Sequence, residues 1–234
     1  DMSPDLLERQ ASGFVDHHFG AVRLTIQWPH INSTYGEYDW AATDALVDTF
    51  HSRGISILGV ATWAPSWAVP EEYRLVKHPA PADPAVFAEF ALAAAERYAD
   101  RIRTWEIWNE PNIGSTFGPR VNPELYAAML EQSYVAIKQF DPDIVVLSGA
   151  TSPTVDNATD LSPQTFVTRL YELGAGKYFD GLAMHPYSAS GSLSTYSGTA
   201  NSATAIADIR ARGHRPILVG GSMLYVQSLI DAWR

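Results

Sequence analysis

The chain is predicted to be an α/β protein of the (β/α)8, or TIM, barrel type, incomplete over these 234 residues. Three observations predict it. Short apolar runs alternate with longer helical stretches, the pattern of βα units feeding a parallel sheet. Several runs have one apolar and one polar face, whereas a sheet covered by helices on both sides reads apolar on both. Polar side chains also gather at the carboxyl ends of the runs, where barrel enzymes build their sites. The competing architecture is a doubly wound sheet with a few buried ion pairs.

Candidate strands span 21–28, 55–62, 104–110, 144–149, 179–187 and 216–219. In the first, Val22, Leu24 and Ile26 share one face and Arg23, Thr25 and Gln27 the other, the two-residue period of a half-buried strand. In the third, Glu106, Trp108 and Glu110 share a face. In the fifth, Ala183, His185 and Tyr187 lie opposite Leu182 and Met184.

The helices between carry start signals. Asp83-Pro84, Asn122-Pro123 and Ser162-Pro163 each put a capping side chain before a proline at the first helical position. The stretch 85–100 sets Phe87, Phe90, Leu92 and Tyr98 among alanines, as a helix lying on a sheet should. Gly54, Gly174, Gly176 and Gly213 fall where helices hand over to strands. Nothing reads as a linker, so residues 1–234 form a single expected domain. It supplies the second to seventh strands of a barrel; a first and an eighth are not seen, and a fragment is one reading of that.

Composition narrows the function. A formal net charge of −10 argues against nucleic acid, which needs clustered Lys and Arg. No apolar run reaches the length of a transmembrane helix. With no cysteine there is no disulfide, thiolate nucleophile or Cys-ligated zinc. His17 and His18 are adjacent, in a predicted helix, and lack ligand spacing. Neither a metal nor a cofactor is expected.

The strand ends carry Gln27-Trp28, Thr62-Trp63, Asn109-Glu110 and His185-Pro186-Tyr187. A lone histidine is more often a satisfied core residue than a catalyst, and a lone Asn-Glu could merely cap a helix. Their recurrence at successive strand ends is what carries weight. Here the sequence "WEIWNEPN" closely resembles the fourth-strand signature of the clan A glycoside hydrolases, retaining (β/α)8-barrel enzymes. "VRLTIQW" with Arg23, "WAPSWA" after the third strand and "AMHPYS" at the sixth make family 39 the nearest resemblance, with family 5 next. The resemblance runs from Ala21 to Val219.

The resemblance implies a hydrolase of β-linked oligosaccharides or polysaccharides acting with retention, with Glu110 as general acid/base. Such cleavage needs a carboxyl that protonates the leaving oxygen and then takes a proton from water. Partial burial and a like-charged neighbour would raise its pKa for that task. Asn109 is expected to bond the hydroxyl beside the anomeric carbon. Arg23 would orient a carboxylate and hold it ionised, or pair internally with Glu106, and both could hold. His185 and Tyr187 would line the site. Trp28, Trp63 and Trp67, at or just past strand ends, are candidate platforms for a sugar ring; Trp40 and Trp233 read as core.

A retaining enzyme needs a second carboxylate, the nucleophile, about 5–5.5 Å from the first. It is expected just after the seventh strand, where the chain reads Gly220-Gly221-Ser222-Met223, and no acidic residue lies between Asp208 and Asp231. Three explanations stand at this stage: residues omitted near Gly220-Gly221, a barrel fragment, or an inactive barrel that binds glycans. The later "SLIDAWR" resembles family helices that follow the seventh strand, which favours omitted residues.

Overall fold

The computed structural model describes residues 3–185 and 217–218. Helix α1 (Pro4–Asp16) leads into strand β1 (Ala21–Gln27), the short helix α2 (Trp28–Ile31) and helix α3 (Ala41–His51). Then come β2 (Ser56–Thr62), α4 (Pro84–Arg97), β3 (Thr104–Asn109), α5 (Pro123–Phe140), β4 (Val145–Ala150), α6 (Pro163–Glu172), β5 (Ala183–Met184) and β6 (Ile217–Leu218). In barrel terms β1 is the second strand and β3 the fourth.

Strands β1 to β4 form a parallel sheet in chain order. Isolated parallel bridges Leu147–Gly181 and Thr151–Met184 carry the curve on to β5, which pairs in parallel with β6. Sequential parallel strands, each returned by a helix, are the construction of a (β/α) barrel. The alternation expected of β1 holds: Val22, Leu24 and Ile26 are buried, while Arg23, Thr25 and Gln27 are half-buried.

All three Pro-marked caps form. The Asp83 side chain accepts from Ala85 N–H, Asn122 from Leu125 N–H and Ser162 from Thr165 N–H. Gly54 and Gly174 take left-handed φ of 72° and 75°, turning a helix into the next element without a Cβ penalty. Gly213 lies outside the described residues. His17 and His18 fall just past the end of α1, not within it.

The fifth candidate strand is the main departure. Of 179–187, only Ala183–Met184 has strand geometry among the described residues. Polar side chains replace ladder partners there: Asp180 Oδ2 accepts from Val146 N–H, and Ser148 Oγ accepts from Ala183 N–H.

Candidate active site

Strand β3 delivers Asn109 and Glu110 to the carboxyl end of the sheet. The backbone twists sharply to do so, with φ of 71° at Trp108 and 50° at Glu110. Non-glycine residues rarely occupy this region, and such strain collects at functional sites. The surroundings over-determine it. Glu110 N–H still bonds Ala150 O at 3.0 Å, continuing the ladder to β4. Thr116 Oγ donates to Glu110 O at 2.6 Å and Trp108 Nε1 donates to Thr116 O at 2.7 Å. A Cβ on Gly149 would meet Ile107 O at 2.7 Å and Trp108 O at 2.8 Å, so only glycine lets β4 approach the bend.

Beneath the rim lies an ion-pair network. Arg23 donates from Nε and Nη2 to the two oxygens of Glu106, at 2.9 and 2.8 Å, and Ala150 N–H donates to Glu106 Oε1 at 2.9 Å. Glu106 is fully buried, so the bidentate pair and the backbone donor compensate a charge that would otherwise be costly there. Arg23 Nη2 also donates to Asn109 Oδ1 at 2.9 Å. Because only the amide oxygen can accept that bond, the amide orientation is set and Asn109 Nδ2 remains a donor. Arg23 thus pairs with Glu106, one of the two roles considered for it, and positions Asn109.

His185 reaches Glu110 from the segment after β5, its Nδ1 2.8 Å from Glu110 Oε1. Both side chains are largely buried. A carboxyl and an imidazole at hydrogen-bond distance can share and relay a proton. Tyr187 lies outside the described residues, as does Trp233.

The tryptophans divide. Trp28 is not a sugar platform. Helix α2 turns it inward, where it is fully buried, stacked on Phe90 at 5.4 Å and bonded through Nε1 to Asn32 Oδ1. Trp67 is half-buried, donates to Asn32 O at 2.8 Å and meets the edges of Trp28 and the exposed Tyr35. Trp63 is half-buried at the end of β2, stacked against His78 and set on edge to Trp108. Trp40 packs on Tyr38 and Phe90, as a core-lining ring.

Two residues of the site's frame had no assigned role in the sequence. Asn112 is fully buried and clamps the loop after β3 to the loop after β4: Nδ2 donates to Ser152 O and Leu161 O, and Oδ1 accepts from Ser152 N–H. Tyr126 of α5 donates to Ile107 O at 2.9 Å and accepts from Gly149 N–H at 2.6 Å. Burial pushes its phenol pKa well above the usual range. Among the described residues, no three His, Asp or Glu side chains are grouped to hold a metal.

Solved structures similar to this chain include several glycoside hydrolases. A family 39 enzyme from Bacteroides cellulosilyticus WH2 matches with a TM-score of 0.62 and 22% identity, over 78% of this chain and 36% of that one. A family 39 β-xylosidase from Caulobacter crescentus matches with a TM-score of 0.63 and 18% identity, over 94% of this chain and 49% of that one. A family 30 xylanase C catalytic domain from Talaromyces cellulolyticus gives a TM-score of 0.56 at 15% identity, over 76% and 48%.

The fold is an incomplete (β/α)8 barrel, which these glycoside hydrolases share. The chain spans between about a third and a half of the length of those three structures.

Sequence comparison points elsewhere for the C-terminal segment. Residues 183–234 match the family model "IPP transferase". The tRNA dimethylallyltransferase of Mycobacteroides abscessus is 68% identical over 28 residues, 12% of this chain and 9% of that protein. That of Nocardia farcinica is 50% identical over 42 residues, 18% of this chain and 13% of that protein. The chain therefore spans only about a tenth of the length of these transferases. Both "ILVGGSM" and "SLIDAWR" fall inside the matched segment. The likeness of "SLIDAWR" to a glycosidase helix has to be set against this match to a different family.

Proposed function

We propose that the chain carries the acid/base half of a retaining β-glycosidase site, of the clan A type and most like family 39. Glu110 is the general acid/base, and Asn109 bonds the sugar hydroxyl next to the anomeric carbon. The observation that carries this reading is the strained end of β3. It presents Glu110 against His185 beside an Asn109 amide that Arg23 has already oriented. His185, Trp63 and Trp67 line the site, and Tyr187 is assigned with them from its place in the sequence. The substrate is an oligosaccharide or polysaccharide with β-linkages.

We infer that the C-terminal segment does not supply the second carboxylate, since it holds no glutamate. After Asp180 the 234 residues contain only Asp208 and Asp231 as acidic residues, and 183–234 is the stretch similar to another family. We infer a composite sequence, glycosidase-like up to the sixth barrel strand and transferase-like beyond. This accounts for the missing glutamate without residues lost at Gly220-Gly221. A tRNA prenyl-transfer activity is the other reading the match raises. It is weaker, because the matched stretch is a small part of such a protein and a net charge of −10 opposes binding of a polyanion.

The test uses the purified 234-residue chain with 2,4-dinitrophenyl β-glycosides. Sugar binding is expected without turnover in plain buffer, and azide should restore release of the phenolate. Azide would attack the anomeric carbon as the C–O bond to the phenolate breaks, giving a glycosyl azide of inverted configuration. Turnover in buffer with retention would show that a carboxylate of this chain serves as nucleophile. No binding to any β-glycoside would end the glycosidase reading. The intact mass of the protein settles independently whether residues are omitted.

A further inference from the structure

We propose that His78 is a sugar-binding residue of the Glu110 site, its imidazole offering one donor and one acceptor to neighbouring hydroxyls of a β-linked glycan. The inference rests on the glycosidase reading and names a contact that reading does not contain.

His78 has a left-handed backbone, as three residues near the ends of β2 and β3 do. Its φ is 49°, beside 64° at Trp63, 71° at Trp108 and 50° at Glu110. Its ring stacks on Trp63 with centroids 3.9 Å apart and planes 25° off parallel. Trp63 directly follows the last residue of β2, so the stacked pair lies at the same carboxyl edge of the sheet as Asn109 and Glu110.

The position is held from the Glu110 side. Gly118, in the loop that follows Glu110, donates its N–H to His78 O and accepts from Ala80 N–H, both at 3.0 Å. A Cβ on Gly118 would lie 2.6 Å from Val76 Cγ1, so glycine permits the two loops to close. His78 thus sits in a left-handed backbone between these two bonds, with its ring stacked on Trp63.

What the ring lacks is a polar partner. It is half-buried, yet neither nitrogen is hydrogen-bonded to any described residue. Neither nitrogen is among the buried polar atoms left without a partner, so both reach solvent, where a ligand hydroxyl can take the place of water. Partial burial, and next the Lys77 ammonium, hold its pKa below the usual histidine value. The neutral ring then keeps one N–H and one lone pair. Adjacent sugar hydroxyls each donate and accept, which matches that pair, and Trp63 behind the imidazole keeps its plane in place.

Calorimetry of the full chain with xylobiose, cellobiose and mannobiose tests this, using whichever disaccharide the wild type binds best. H78F keeps an aromatic ring on Trp63 but no nitrogen, and should bind about tenfold more weakly. H78N tolerates the left-handed backbone and keeps a donor and an acceptor, and should stay within about threefold of wild type. If His78 only packs, the order reverses and the proposal fails. Imidazole nitrogen NMR on the wild type decides the matter even if H78F does not fold: the His78 signals should move on saturation with sugar, and unmoved signals overturn the proposal. A wild type that binds none of the three sugars overturns this inference, whereas the glycosidase reading falls only if no β-glycoside binds. Binding that is equal in wild type and H78F removes only this inference.

Discussion

Glu110 is held in a backbone conformation that a side chain with a Cβ seldom adopts. In the azide-supported reaction, Glu110→Gln should slow phenyl glycosides by about 100-fold or more and dinitrophenyl glycosides far less. A poor leaving group needs the proton and a good one does not. Equal slowing of both would remove Glu110 from the acid/base role. Arg23→Ala should cost about 3 kcal/mol in chemical denaturation, because it strands the fully buried Glu106 charge. At this scale the sequence placed Asn109 and Glu110 correctly at a strand end. It misled at Trp28, since a strand-end indole looks rim-facing until a four-residue helix turns it inward. His78 and Asn112 were hidden for another reason. Their placement depends on loop closure against Gly118 and Ser152, and no local pattern encodes that.

Between elements, the fit of β3 to its neighbours governs the site. Tyr126 ties α5 to both β3 and β4 just below the bend. Tyr126→Phe should lower stability by about 1–3 kcal/mol, because it orphans Gly149 N–H and Ile107 O in a dry interior. A smaller loss would mean that water replaces the hydroxyl. Gly59→Ala should also destabilise, since the added Cβ would lie 2.8 Å from the Trp105 ring. Thermal melting checks both. Elements β1 to β4 and helices α4, α5 and α6 were legible because hydrophobic period and capping agree there. The stretch 179–187 read as one long strand because its apolar residues alternate. Asp180 and Ser148 then take up backbone partners through their side chains, an exchange that periodicity does not reveal.

Around the whole molecule, ion pairs join successive helices: Asp44 of α3 to Arg97 of α4, and Glu124 of α5 to Arg169 of α6. The hydrogen bond from Arg97 holds Asp44 below the usual carboxylate pKa, and that from Arg169 does the same for Glu124. A depressed folded-state pKa gives stability that is present above the unfolded value and lost as pH falls below it. The melting temperature should therefore decline as the solution is acidified through about pH 4 and below. These groups are largely exposed, so added salt should shrink the effect. A flat profile would show that the pairs contribute nothing. The barrel class was legible from one polar face per strand. The likeness of residues 183–234 to a second family was not, because a short apolar run such as "ILVGGSM" carries no mark of the family it comes from. The hydrogen bond between His185 and Glu110 lies where the two likenesses meet, since His185 is among the first residues of the matched segment. A complete glycosidase C-terminal half grafted on after residue 185 would keep Glu110 in its grip, whereas a splice made ahead of Ala183 would discard it.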